Sequence, residues 1–264
     1  MTSVHIEHIF DVQKLQEIVD LQKRVWDAAS VTSMHQMVAA IHHGGVVLAV
    51  VADGRIVGFC YGFPGFDGER VYLVSHMAAF DAGWQNKGWG KRLKEAQRRW
   101  ALEHGYDRMV WTFDPLKARN AYFNLCKLGG TSQKYITDFY GDLAGLPEDR
   151  LLVEWELDSP RVKQALEGTV PGAETWPTYA KLLDWTMTPE GPEPGGTETA
   201  SGEPPGWLLP VPREPLPPLQ AKSWRFALRR AFQTAMANGY RVTGLWRTEE
   251  PVHYYVLEKE GNTD

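Results

Sequence analysis

The feature that most constrains this chain is Gln85-Asn86-Lys87-Gly88-Trp89-Gly90-Lys91, which joins an apolar strand to a basic amphipathic helix. The strand reads Val71-Tyr72-Leu73-Val74-Ser75-His76-Met77-Ala78-Ala79-Phe80, and the helix is expected from about Gly88 to His104. Glycines at such a junction let a ligand come close to the backbone. The first helical turn holds amide hydrogens without intrahelical partners at the positive end of the helix dipole, which suits an anion. Lys87, Lys91 and Arg92 add charge beside it. The expectation is a pyrophosphate-binding turn, and with it a cofactor-using enzyme.

Composition narrows the class. A chain of 264 residues, 43% hydrophobic and with 11 tryptophans, can bury a sizeable core in one large domain or one domain plus an appendage. A net charge of −5 argues against a general nucleic-acid binder. Cys60 and Cys126 fall in a strand-like and a helix-like run and read as buried free thiols, not a disulfide framework. His42-His43 and the other histidines lack zinc-site spacing, so no metal is expected. No stretch approaches the roughly 18 apolar residues of a membrane span, and the polar start near Asp11 has no apolar signal segment. The reading is a cytoplasmic enzyme with neither membrane nor nucleic acid as partner.

Periodicity orders the first half as strand, helix, helix, three strands, helix, strand, helix. Val4–Phe10 alternates like a strand, and Asp11 caps a helix carrying Leu15, Ile18, Val19, Val25 and Trp26. A second helix is expected over Met34–His43, then a hairpin turning at Asp53-Gly54. Tyr106–Phe113 reads as a strand, Ala118–Gly130 as a helix with its stop, and Leu151–Leu157 as one further strand. Thirteen of the 17 prolines lie between Pro160 and Pro218. Residues 187–220 therefore read as a loop or extended arm with little regular structure, with a short helix at Thr178–Trp185. Order is expected to return at Ala221 as a helix, followed by strands at Tyr240–Trp246 and Val252–Glu258.

The turn can be compared with three phosphate loops. A Walker loop needs Ser or Thr after Gly-Lys, and Gly90-Lys91 is followed by Arg92. A Rossmann fingerprint needs a third glycine where Leu93 stands, although Asp114 ends the next strand as that fold's acidic residue would. A nucleotide-dependent oxidoreductase thus remains a third reading. Gln85-x-x-Gly88-x-Gly90 resembles the Gln/Arg-x-x-Gly-x-Gly/Ala loop of the GCN5-related N-acetyltransferase (GNAT) superfamily. The strand Ser75–Phe80 before it, and Ala118–Gly130 with its Lys-Leu-Gly stop after it, are similar to the superfamily's segments in order and spacing. The resemblance spans about residues 1–158. Tyr140-Gly141, Gly145–Trp155 and Asp158–Val162 resemble a branch of predicted acetyltransferases, some of whose relatives are associated with N-succinylation of amino acids.

The resemblance implies a mixed α/β fold, its mostly antiparallel sheet splayed in the middle, and a C-terminal extension. The implied organisation is a GNAT domain over 1–158, a Pro/Gly-rich arm over 159–220, and a helix and hairpin over 221–264 that pack on the main domain or on a partner subunit, leaving a homodimer open. It implies acyl transfer from acetyl-CoA, or another acyl-CoA such as succinyl-CoA, to the amine of a small molecule such as an amino acid. Ala78, Ala79 and Phe80 would line the splay, with the Ala78 amide donating to the thioester oxygen. Gln85, Asn86, Lys87, Gly88, Trp89, Gly90 and Lys91 would hold the pyrophosphate, and Asn120 and Phe123 would contact the cofactor from the next helix. The usual acid, a tyrosine three residues before the Leu-Gly stop, is here Leu125; Tyr122 and Tyr140 are the substitutes. From its place on the motif strand His76 is the candidate base, expected on the face of Val74 and Ala78, with Glu69 behind it. Arg225, Arg229 and Arg230 form a basic helix face suited to a substrate carboxylate. Because the tyrosine is missing, a non-catalytic acyl-CoA-binding regulator is the alternative from another class.

Overall fold

Asp11 accepts a hydrogen bond from the Lys14 amide and starts α1 (Val12–Val25), whose buried side is Leu15, Ile18, Val19 and Leu21. Asp11→Ala is expected to cost about 1 kcal/mol, read as a lower urea midpoint with an unchanged slope. The computed structural model to which this helix belongs describes residues 3–143, 146–197 and 204–259. The chain divides into two units, Met1–Trp111 and Thr112–Asp264.

In the first unit β1 (Val4–His8), β2 (Val46–Ala52), β3 (Arg55–Phe66) and β4 (Val71–Phe80) form an antiparallel run, and β5 (Arg108–Phe113) lies parallel to β4. A parallel neighbour needs a crossover, and α3 (Trp89–Glu103) supplies it. Every residue of β2 is buried because both sheet faces are covered. On one face α1 and α2 (Met34–His42) pack with Val47, Ala49, Val51, Phe59 and Tyr61. On the other, α3 buries Leu93, Ala96, Gln97, Trp100 and Ala101. Asp53 and Gly54 both take positive φ, 47° and 79°, which closes the β2–β3 hairpin as Asp-Gly predicts.

The second unit opens with α4 (Ala118–Ala121), which widens into a π-helical turn over Tyr122–Lys127. Its main sheet runs β9 (Arg150–Glu156), β6 (Thr131–Ile136), β14 (Tyr240–Trp246), β15 (Val252–Lys259), β13 (Gly206–Pro212), β10 (Ala180–Lys181). Two small hairpins, β7 (Asp142–Leu143) with β8 (Leu146–Pro147) and β11 (Leu183–Thr188) with β12 (Gly191–Thr197), complete the strands. Helix α5 (Pro160–Glu167) follows β9, and α6 (Pro218–Ala237) buries Trp224, Ala227, Leu228, Ala231, Phe232 and Ala235. Phe232 stacks on Tyr135 at 5.3 Å and meets Tyr255 edge-on at 5.1 Å.

Here the structure corrects the sequence reading. Among its described residues the stretch 187–220 is not an irregular arm: it holds β12, the fully buried β13 and the start of α6, while 198–203 lie outside the described residues. Thr178–Trp185 is not a helix but a 3₁₀ turn at Trp176–Thr178 followed by β10 and the start of β11. The prolines mislead because strands tolerate them where no amide is needed. The Leu208 carbonyl accepts from the Leu182 amide on the β10 side, while β15 pairs with the other edge of β13. Pro210 and Pro212 share the parity of Leu208, so their missing N–H groups point away from β15, past the end of the two-residue β10 pairing. Among the described residues no helix is long and apolar enough to cross a membrane.

Candidate functional site

The parallel ladder between β4 and β5 is short: Leu73 pairs with Met109 and Val74 with Val110. Beyond that point β4 continues to Phe80 along β3 alone, so the two strands part like a fork. Past the wide end of the fork comes the glycine turn. Asp81, at the end of β4, accepts from Arg24 of α1 and Arg55 of β3, both at 3.0 Å, and fixes the path of the chain into the turn. The Gln85 side-chain amide donates to the Phe80 carbonyl at 3.3 Å and folds the turn back on the strand. Asn86 and Gly88 both take positive φ, 62° and 82°. Gly88 is the N-cap of α3, and a Cβ placed there meets nothing within 4 Å.

The amides of Gly88, Trp89 and Gly90 have no protein acceptor among the described residues; the first bond closing the helix is Arg92 N–H to the Gly88 carbonyl. Two cations lie over aromatic rings beside these amides, Lys87 over Trp84 at 5.5 Å and Arg92 over Trp89 at 4.8 Å. Lys91 reaches Glu95 one turn on, at 4.0 Å. A row of amides without protein acceptors at a helix start, flanked by positive charge, is an anion site by its physics.

A bulge on β4 changes the expected faces. Gly62 pairs with Ser75 and Tyr61 with Met77, so His76 is the extra residue. Its ring packs edge-on to Tyr61 at 6.1 Å and Phe63 at 5.6 Å, on the α1–α2 side of the sheet. Ala78 pairs with Cys60, which neighbours Tyr61 and so points to the α3 side. The expectation that His76 and Ala78 share a face is therefore wrong; the inserted residue reverses the alternation. His76 is open to solvent on one side, and burial of its flanks lowers its pKa below 6.5. Glu69 sits exposed in the β3–β4 turn, its amide donating to Asp67.

Comparison with known proteins fits this geometry. Residues 13–126 match the profile of the acetyltransferase (GNAT) family. That match covers less than half of the chain. Among solved structures it is similar to yncA of Salmonella typhimurium, solved with its cofactor acetyl-CoA, at 20% identity and a TM-score of 0.50 over 59% of this chain and 95% of that one. A protein of Acinetobacter baylyi ADP1 is similar at 18% identity and a TM-score of 0.51, over 61% of this chain and 96% of that one. These likenesses establish the GNAT fold. No curated protein matches the chain by sequence.

The remaining site residues singled out in the sequence belong to the second unit. Leu125, at the position of the usual tyrosine, is fully buried. Two cations lie over the Tyr122 ring, Arg247 at 5.0 Å and Lys127 at 5.6 Å. Tyr140 is exposed, beside Phe139 and with Arg150 over its ring at 5.2 Å, so the two tyrosines have separate neighbours. Asn120 is exposed and Phe123 half-buried. Arg225 and Arg229 are not open to a substrate carboxylate as expected: Arg225 is bound to Asp114 at 2.6 Å, and Arg229 to Asp149 at 2.6 Å and Asp138 at 3.2 Å. Cys60 and Cys126 are buried free thiols, and burial pushes Cys60 up to about 12. Among the described residues no group of three or more His, Cys, Asp and Glu could hold a metal ion.

One feature of the first unit escaped the sequence reading. Ser75, Lys94 and Gln97 are buried together on the α3 side of the fork, with Cys60 and Trp111. The signal was present: Lys94 and Gln97 fall in the helical stripe of Leu93, Trp100 and Ala101, where apolar residues are expected.

Proposed function

We propose that the protein is an acyl-CoA-dependent N-acyltransferase acting on the amine of a small molecule, an amino acid among the candidates. The observation that carries this reading is the fork opening toward a turn whose amides are unspent. A coenzyme A diphosphate fits there: Gly88 leaves room against the backbone, the amides of Gly88, Trp89 and Gly90 donate, and Lys87 and Arg92 balance its charge. Gln85 and Asn86 shape the turn, and Trp89 and Lys91 border it. When bound, the coenzyme supplies an acyl group activated as a thioester. The chain's own part is to hold that group and to manage protons. The parted edge of β4 turns the amides of Ala78 and Phe80 away from β3, with Ala79 paired to Phe59 between them, and so offers backbone donors for a carbonyl oxygen that gains charge. His76 takes a proton from the incoming ammonium, directly or through water, since burial keeps its ring neutral at physiological pH. Tyr122 and Tyr140 remain the proposed proton donors to the leaving thiol, and Asn120 and Phe123 the proposed cofactor contacts.

The test is release of free thiol from acetyl- and succinyl-CoA across a panel of amines, with direct titration of coenzyme A. His76→Ala is expected to lower kcat about a hundredfold. In the parent protein the rate should fall as pH drops through a value below 6.5, because the protonated ring no longer accepts a proton. That acid limb should vanish in the variant; its persistence would take His76 out of the role. The buried Leu125 favours a second reading, an acyl-CoA-binding regulator without turnover. Tight coenzyme binding with no thiol release across the panel would select it.

A further inference from the structure

The second unit holds the same arrangement twice. A helix, a glycine stop, a strand and a return strand occur as the helix over 118–127, Gly129, β6 and β9, and again as α6, Gly239, β14 and β15. Both glycines take positive φ, 77° and 81°. Counted from these glycines, Ser132 matches Val242, Lys134 matches Gly244 and Tyr135 matches Leu245. Each hairpin is bulged at the same place. In β6–β9 the register shifts between Thr131 and Lys134, then resumes with Lys134 on Leu152 and Tyr135 on Leu151. In β14–β15 it shifts between Val242 and Gly244, then resumes with Gly244 on Val256 and Leu245 on Tyr255. A bulge adds local twist, so hairpins bulged at matching positions share a shape.

The two hairpins meet through β6 and β14, which run antiparallel with Ser132 opposite Val242. Those residues are a matched pair. Matched residues face each other across an antiparallel ladder only where a two-fold axis relates the copies. The strand order β9, β6, β14, β15 has the same symmetry: return strand, first strand, first strand, return strand. The helices follow it, each packing on the other copy's strand at a matched residue. The Leu245 amide donates to Cys126 Sγ at 3.3 Å, and Phe232 stacks on Tyr135 at 5.3 Å. The symmetry is broken at one corner. Arg247, just past β14, lies over the Tyr122 ring of the first helix at 5.0 Å. Its counterparts in the other copy are Thr137 and the fully buried Phe232.

We propose that residues 218–259 are an internal copy of the helix and hairpin within 118–156, and that they stand where a second copy of the chain would stand in a two-fold dimer. Without β14, the edge of β6 would offer a row of unpaired backbone groups, and the same edge of another copy is its natural partner. Here the chain supplies that partner itself, so no second chain pairs with β6. The internal copy also lends Arg247 to Tyr122, as a neighbouring subunit lends a residue to a shared site. This pairing holds whatever ligand the first unit takes.

The experiment is a cross-link. Ser132→Cys combined with Val242→Cys puts two thiols on facing residues, whose Cβ atoms are about 4.5–5.5 Å apart in an antiparallel pair. The full chain is oxidised and followed on a non-reducing gel with peptide mass mapping, each single variant serving as control. A 132–242 disulfide within one chain is expected. A covalent dimer joined at 132 and 242 would assign the two copies to different chains and overturn the proposal. A folded double variant that forms neither product overturns the pairing itself. Should the double variant not fold, hydrogen exchange on the unaltered protein decides. Amides of 131–136 should be as protected as those of 240–246, at rates that dilution does not change. Protection of β6 that weakens on dilution would mean that a second chain provides it, which also overturns the proposal.

Discussion

Gly88→Asp is expected to lower coenzyme A affinity about a thousandfold, roughly 4 kcal/mol. Two effects combine. A charge-assisted hydrogen bond to a backbone amide is worth about 1.5–3 kcal/mol, and a carboxylate at the N-cap competes for the amides that the diphosphate needs. It also sets a negative charge against a negative ligand. The fold should survive, because a Cβ at this position meets nothing within 4 Å. The conformational cost of φ 82° for a non-glycine residue is about 1–2 kcal/mol. Gly88→Ala separates the terms: it carries the same backbone strain without the charge, and should keep most of the affinity. Titration calorimetry of both variants, with melting curves to confirm folding, makes the comparison. Unchanged affinity in Gly88→Asp would place the diphosphate elsewhere and remove the basis for the proposed function.

The largest expected stability effect lies in the second unit. Asp149 is fully buried and accepts from the Tyr135 hydroxyl at 2.7 Å, the Asp138 amide at 3.1 Å, and Arg229 through Nε at 2.9 Å and a terminal nitrogen at 2.6 Å. Asp149→Ala leaves the Tyr135 hydroxyl without its acceptor and takes from Arg229 its buried carboxylate, leaving only the exposed Asp138, a loss of about 3 kcal/mol. Urea denaturation measures it; a change below about 1 kcal/mol would mean that water replaces the carboxylate. Burial on its own would raise the Asp149 pKa, but the bonds from Arg229 and Tyr135 outweigh it and hold the carboxyl below 3.8. A carboxyl depressed in the folded state stabilises above its unfolded pKa and loses that contribution as pH falls through the folded value. The parent protein should therefore lose stability below about pH 4, and Asp149→Ala should show less of that acid loss. Arg225 with Asp114 belongs to the same order of interaction, a fully buried guanidinium on a carboxylate at 2.6 Å.

The phosphate turn, the helix it starts and the strand before it were legible because their causes are local. Glycine at positive φ, a capping aspartate at Asp11 and an Asp-Gly hairpin act within a few residues, and each appears where expected. The apolar stripes of α1 and α6 were legible for the same reason, since burial repeats with the helical period. What the proline-rich stretch becomes was not legible. Pro210 and Pro212 are admitted to β13 by the ladder geometry of β15 and β10, strands far from them in sequence.

The amino-acid order by itself determined that a helix would begin with bare amides at Gly88–Gly90 and that a strand would lead into it, because backbone dihedrals and dipoles are set by neighbours along the chain. Only the tertiary structure decided that β4 leaves β5 after Val74, that a bulge turns His76 away from the face of Ala78, and that Lys94 is buried against Trp111. It also decided that Arg225 and Arg229 would be spent on buried carboxylates. Those outcomes depend on strand register and on which side chains share a desolvated space, and both arise from packing between segments that the linear order does not place together.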